Sequence, residues 1–300
     1  MGRVRRAVKE AACIWQADHI ILNYPGHKVR KNRVNLHYYH AEWQDGIESN
    51  LGDYLSEVVV RWMCDKEGLR FDKPVVGTRH LYALGSILQM GYQNATAWGT
   101  GFAFELRRAR AFLHKQRKLD IRCVRGPRTR DTLRGMGFDC PKAYGDPALL
   151  MPLIYEPGEH RHTDNLIIPH FSEEGKARAG YGDDHILSMN TKDYKSVIDR
   201  ICAADKVVSS SLHGIILTEA YGIPAVFYQD RGDRFNYKYF DYYEGTGRKD
   251  TVPYKSISAA IGAGGGMKCP DRKVIRRMQD VLIGTFPKDL WLSKGSGGCR

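Results

Sequence analysis

A chain of 300 residues with 42% hydrophobic content is long enough for a large core, in one large or two ordinary domains. Its formal net charge of +12 favours an acidic partner (nucleic acid, an anionic membrane surface or a phosphorylated substrate) without choosing among them. Lys9, Glu10 and Asp18 interrupt the first apolar positions, which excludes a signal-peptide core, and no segment is expected to cross a bilayer; seven scattered cysteines without a CxxC pair argue against a disulfide framework or a zinc site, so no metal is expected and the cytosol is the expected compartment.

Residues 1–33 read as a basic helical extension with a linker, and VNLHYYH (34–40) alternates as a strand does. A helix is predicted over 47–68 with Asn50 as its cap. PVVGT (74–78) follows as a short apolar segment, then a glycine-punctuated helix over 81–90 and the strand ATAWGTG (95–101). The basic segment 104–118 carries Leu106, Ala109, Phe112 and Leu113 as a narrow apolar stripe. Such a helix could rest on anionic lipid headgroups, and the same stripe could face the core. IRCVRG (121–126) reads as a strand leading into a helix that starts near Pro127, a residue suited to a first helical turn.

Strands alternating with helices predict βαβ units and parallel sheets. AYGDPALLMP (143–152) is turn-rich, and the polar stretch 155–165 reads as a domain linker. The pattern then restarts: strands at 166–170 and 185–189, a helix over 193–205, a strand at 206–210, a helix, and a strand at 224–229. A last helix over 269–284 has room to cross back onto the first half. The expected organisation is an extension (1–33), a first α/β domain (34–155), a second (163–265) and a C-terminal helix with a glycine-rich tail (266–300).

VVSSSLHGIILTEAYGIPAV (207–226) places three serines and a histidine where a strand ends and a helix begins. In open parallel sheets ligands gather at such ends, and a helix N-terminus offers unpaired N–H groups and partial positive charge to an anion. His213 in that first turn could donate to an anion or move a proton near neutral pH. It could equally be an ordinary first-turn residue behind an ordinary Ser211 cap. Arg125, between strand and helix, suits bidentate binding of carboxylate or phosphate, with a structural salt bridge as the competing explanation. His170 ends the first strand of the second half. Thr100 and Gly101 in WGTG, and Asn50, Gly52 and Asp53 in SNLGD, put small or polar groups where backbone must approach something closely. No P-loop, GxGxxG, GxSxG or HExxH motif is present. Glu219 stands where a nucleotide-sugar ribose clamp would have an acid, but the residue eight positions on is Phe227.

The ordered blocks NLGDYLS, LYALGSIL, ATAWGTGF, VRGPRTRDTL, YGDPALLMP, IIPH, VVSSSLHGIILTEAYGIPAV and FNYKYFDYY resemble the polysaccharide pyruvyl transferases over about 34–260. The resemblance implies two Rossmann-like parallel-sheet domains in a GT-B-like arrangement, and transfer of the pyruvyl group of phosphoenolpyruvate onto two hydroxyls of a sugar, with release of phosphate and no cofactor. It implies His213 as the general acid/base and Arg125 as a ligand of the donor. Ser210, Ser211 and His170 are expected on the donor side, with Lys238 neutralising charge. Many relatives carry arginine where this chain has Ser211, and Arg231 or Arg234 could supply that charge. Asn50, Gly52, Thr100 and Gly101 are expected on the acceptor side, with Asp53 as a second candidate base. A lipid-linked acceptor at the inner face of a membrane would give the basic helix a purpose. A nucleotide-sugar glycosyltransferase of the same architecture is the rival reading, and a non-catalytic nucleic-acid or membrane binder ranks below it.

Overall fold

The structure, a computed structural model, describes residues 29–39, 49–90, 93–106, 115, 117–158, 163–233, 236–263 and 269–292. The N-terminal extension up to residue 28, most of the basic helix (107–114 and 116), Arg234 and the tail from 293 lie outside the described residues. Among those described, no helix is long and apolar enough to cross a membrane.

The chain is mixed α/β with two parallel sheets. The first orders β1 (Val34–His37), β2 (Arg79–Tyr82), β3 (Ala95–Trp98) and β4 (Leu119–Cys123) in sequence, every neighbouring pair parallel. Between β1 and β2 lies α1 (Leu51–Lys66), capped by Asn50, whose side chain accepts from Gly52 N–H. Leu51, Leu55, Val59 and Met63 recur every fourth residue of α1, flanked by Val60 and Cys64, and all six are fully buried. At about 1.5–3 kcal/mol for each large apolar side chain, this stripe outweighs any intrinsic helix preference. Helix α2 (Pro127–Gly135) starts on its proline as predicted, and Pro147–Leu153 forms a 3-10 turn capped by Asp146.

The second sheet orders β5 (Thr163–Ile168), β6 (Ala204–Ser209) and β7 (Ala225–Phe227), again parallel. Its helices are α3 (Glu174–Tyr181), α4 (Tyr194–Cys202), α5 (Leu212–Ala220), α6 (Tyr237–Gly245) and α7 (Ile257–Gly262). Helix α8 (Arg272–Gly284) reaches back to the first half: Leu282 accepts from the Trp98 indole at 2.9 Å, and Gln279 donates to the Leu149 carbonyl at 2.7 Å. Beyond it, Trp291 donates to the Phe71 carbonyl. A single apolar cluster runs from α1 and Trp98 through Leu149 to Ile215, Tyr242 and Leu282, so the two halves share one continuous core.

Three sequence expectations differ. The segment 81–90 is not a helix. β2 ends at Tyr82, and Gly85 (φ +92°) turns the chain into a loop whose Leu84 and Leu88 are buried without helical periodicity. The strand expected at 185–189 is reduced to a single parallel bridge, Ile167 to Ile186, because His185 still belongs to a 3-10 turn. The strand expected from 166 starts at Thr163, inside the segment read as linker.

Candidate functional site

The β6 to α5 connection assigns each of its serines a separate task. Ser209 Oγ donates to the Ile168 carbonyl, tying β6 to β5. Ser210 Oγ accepts from His170 N–H at 2.9 Å and donates to the Glu173 carboxylate. Ser211 caps α5, its side chain accepting from Gly214 N–H. The result is a helix N-terminus fixed against the carboxyl end of the sheet, with His213 in its first turn.

That turn faces the first turn of α1, where Asn50 and Asp53 lie. A Cβ at Gly52 would fall 1.9 Å from His213 Nδ1, so only glycine lets the imidazole lie against this backbone. The two helix starts enclose a cavity of about 190 Å³. Asn50, Asp53 and Ser86 line it from the first half, and His170, Ser211 and His213 from the second. Lys238 of α6 closes it, together with Tyr39, Phe171 and the apolar Ile87, Met90, Met189 and Leu212.

Burial drives the carboxyls, the lysine and the two histidines here toward their neutral forms. Asp53 is pushed up to about 7 by burial, with Lys238 opposing and Asp146 adding to the shift. Asp146 is likewise pushed up to about 7 by burial, against the pull of the Ala148 N–H and the Arg125 charge. Lys238 is brought down to about 7 by burial and then by Arg231 and Arg125. His213 falls to about 3, by burial, Lys238 and Arg125, and His170 to about 2, by burial, Lys238 and Arg231. Lys238 makes no hydrogen bond or ion pair among the described residues; its ammonium lies 5.1 Å from the Tyr239 ring centre. A multiply charged anion entering this cavity would supply the counter-charge that Lys238 and the histidines lack.

The cavity thus gathers Asn50, Asp53, His170, Ser211, His213 and Lys238, with Gly52 behind them. Other expected site residues are placed differently. Arg125 is fully buried, and its guanidinium donates to Asp241 at 3.0 Å, Ser86 Oγ at 2.7 Å and the Phe102 carbonyl at 2.6 Å. This is the structural salt bridge, and Arg125 reaches the cavity through its charge and through its hydrogen bond to Ser86, which lines it. Ser210 is consumed by His170 and Glu173. Arg231 pairs with Glu173 at 3.2 Å and donates to the Tyr239 hydroxyl at 3.1 Å, so it backs the cavity without lining it. Thr100 is fully buried and donates to the Gly85 carbonyl, and Gly101 packs on Arg125, which removes both from the acceptor side. Glu219 is buried between Arg248 and the Tyr242 hydroxyl and is not available as a ribose clamp. Among the described residues no cluster of three or more His, Cys, Asp or Glu is arranged to hold a metal ion.

Sequence reading missed Asp146 as a site residue. Its Oδ2 makes no hydrogen bond among the described residues and lies 3.8 Å from His213 Nε2, which also has no such partner. The signal was the Asp-Pro pair of YGDPAL, which marks a capped turn but not what the turn faces.

The profile of the polysaccharide pyruvyl transferase family matches residues 45–229, a span that holds the whole cavity lining except Tyr39 and Lys238. An uncharacterized protein of Acanthamoeba polyphaga mimivirus is similar at 24% identity over 227 residues, 72% of this chain and 75% of that one. No solved structure matches the chain.

Proposed function

The chain belongs to the polysaccharide pyruvyl transferase family, and from that premise we propose that the cavity takes phosphoenolpyruvate and transfers its pyruvyl group to two hydroxyls of a sugar. The observation that carries the reading is Lys238 without an ion pair, aimed into the same cavity as His213, His170 and the N-terminus of α5. Phosphoenolpyruvate is a small trianion, and this set answers its phosphate and carboxylate with one ammonium, two imidazoles and helix N–H groups.

In this scheme protonated His213 delivers its proton to the enol methylene while a sugar hydroxyl adds at C2 and passes its proton to Asp53. A Lys238 ammonium and the α5 N-terminus stabilise the negative charge that leaves with phosphate. The second hydroxyl then closes the ketal and returns a proton to His213, and the proton on Asp53 goes to the departing phosphate. The balance is phosphoenolpyruvate plus a diol giving ketal plus hydrogen phosphate. No cofactor is needed. The two halves would close on donor and acceptor from opposite sides in a GT-B-like manner, with Asn50 on the acceptor side.

Incubation with phosphoenolpyruvate and a panel of glycans, some of them lipid-linked, tests the reading through released phosphate and the ketal methyl signal in proton NMR. Thermal-shift titration adds a second arm, because a bound donor stabilises the fold. Stabilisation by UDP-sugars and not by phosphoenolpyruvate would overturn the reading in favour of glycosyl transfer.

A further inference from the structure

We propose that Asp146 is the positioning residue of the site, holding the His213 imidazole through Nε2 so that Nδ1 is the working nitrogen. The proposal stands on three geometric observations. First, Asp146 is fully buried, and its Oδ1 is fixed by the Ala148 N–H at 3.1 Å, which leaves Oδ2 pointed in one direction. Second, that direction holds His213 Nε2 at 3.8 Å, and neither atom has another hydrogen-bond partner among the described residues. Two buried polar atoms without partners are costly apart, and closure by about 1 Å gives a hydrogen bond of ordinary length. Third, the opposite side of the ring is fixed as well, since Nδ1 occupies the place that a side chain at residue 52 would take.

The consequence is tautomeric. With Nε2–H donated to the Asp146 carboxylate, neutral His213 presents the lone pair of Nδ1 to the substrate, and the imidazolium form presents Nδ1–H. Charge brought by an anionic substrate favours the imidazolium, which forms when Nδ1 takes a proton from the cavity side while Nε2–H stays donated to the Asp146 carboxylate. Asp146 touches His213 and not the reacting atoms, so it positions the acid/base without being one. This inference rests on the proposed role of His213, but the preferred tautomer can be measured without any turnover.

The test uses the full chain labelled with nitrogen-15 histidine. Two-bond proton–nitrogen NMR should show His213 protonated at Nε2 in the parent. In Asp146→Asn the amide oxygen can keep the Ala148 cap while the amide N–H₂ faces Nε2, which forces the proton to Nδ1. That variant should lose at least about 100-fold in kcat, with KM for phosphoenolpyruvate changed by less than about threefold, as expected when a histidine is held in the wrong tautomer. Asp146→Glu should recover part of the rate and the Nε2 signal. A parent His213 protonated at Nδ1, or an Asp146→Asn variant with the parent tautomer and rate, would overturn the proposal. If no glycan is pyruvylated at all, the pyruvyl-transfer reading fails, and the parent NMR spectrum still decides the Asp146 to His213 pairing.

Discussion

Two clusters of buried charge lie where the halves meet, and they differ in what satisfies them. Around Arg125 each guanidinium nitrogen has a partner, and Asp241 in return also accepts from the Thr129 N–H and hydroxyl. Around His213 the opposite holds: Nε2, the Asp146 Oδ2 and the Lys238 ammonium have no hydrogen-bond partner among the described residues. Arg125 and Asp241 are fully buried, whereas His213 and Lys238 are half-buried, so these two unpaired groups are also ones a ligand can reach. A fully paired buried charge has its energy committed to the fold, whereas an unpaired one retains binding energy for a ligand. By that criterion Arg125 is architecture and the His213 cavity is the candidate site.

Substitutions can break this contrast or sharpen it. His213→Gln should reduce pyruvyl transfer by about 10²–10⁴-fold, the usual share of a general acid/base, while urea denaturation shows stability close to the parent's. Arg125→Ala should do the reverse. Leaving Asp241 buried and unpaired costs about 3–5 kcal/mol, read as a lower denaturation midpoint, and the contrast collapses if stability is retained while donor binding is lost. Gly52→Ala should displace the imidazole from its position against α1 and cost about 10²-fold in turnover, the scale of a misplacement of about 1 Å, with the far-ultraviolet circular dichroism unchanged. The last expectation concerns pH. Asp53 keeps its proton up to about 7 in the folded chain against a usual value of 3.8, so between these values the folded state holds the extra proton and stability falls as pH rises. Asp53→Asn removes that slope. It should be more stable than the parent by up to about 4 kcal/mol at about pH 8, with the gain vanishing at about pH 4, in denaturation curves taken across the range.

The elements that the sequence made legible are those with a signal inside one or two turns. Asn50 before a fourth-residue apolar stripe, Pro127 at a first turn, and Ser211 with His213 after Val207 and Val208 all locate a helix start within a residue of where it falls. Elements that failed lack such a signal or carry a misleading one. The loop after β2 is as apolar as a helix because it is buried, and only the positive φ at Gly85 reveals the turn. From the sequence Lys238 falls in a loop after the last strand, because tyrosine and phenylalanine favour strands over helices, and α6 forms where Tyr239, Tyr242 and Tyr243 pack into the core. Asn50, Asp53, His170, Ser211 and His213 were identifiable as strand-end or helix-start chemistry and Lys238 through the family resemblance, and all six line the cavity.

By itself the sequence determined the alternating α/β plan, the family and the helix start that carries His213, because caps, periodicity and motif spacing are local properties. The tertiary structure alone decided which charges are spent. Arg125 meets Asp241 from 116 positions away, and Ser210 meets Glu173 from 37, while the Asp146 Oδ2 arrives opposite His213 and makes no hydrogen bond among the described residues. A side chain's chemistry is written at its own position, but whether that chemistry is available depends on its partners, and partners are chosen by packing between distant segments.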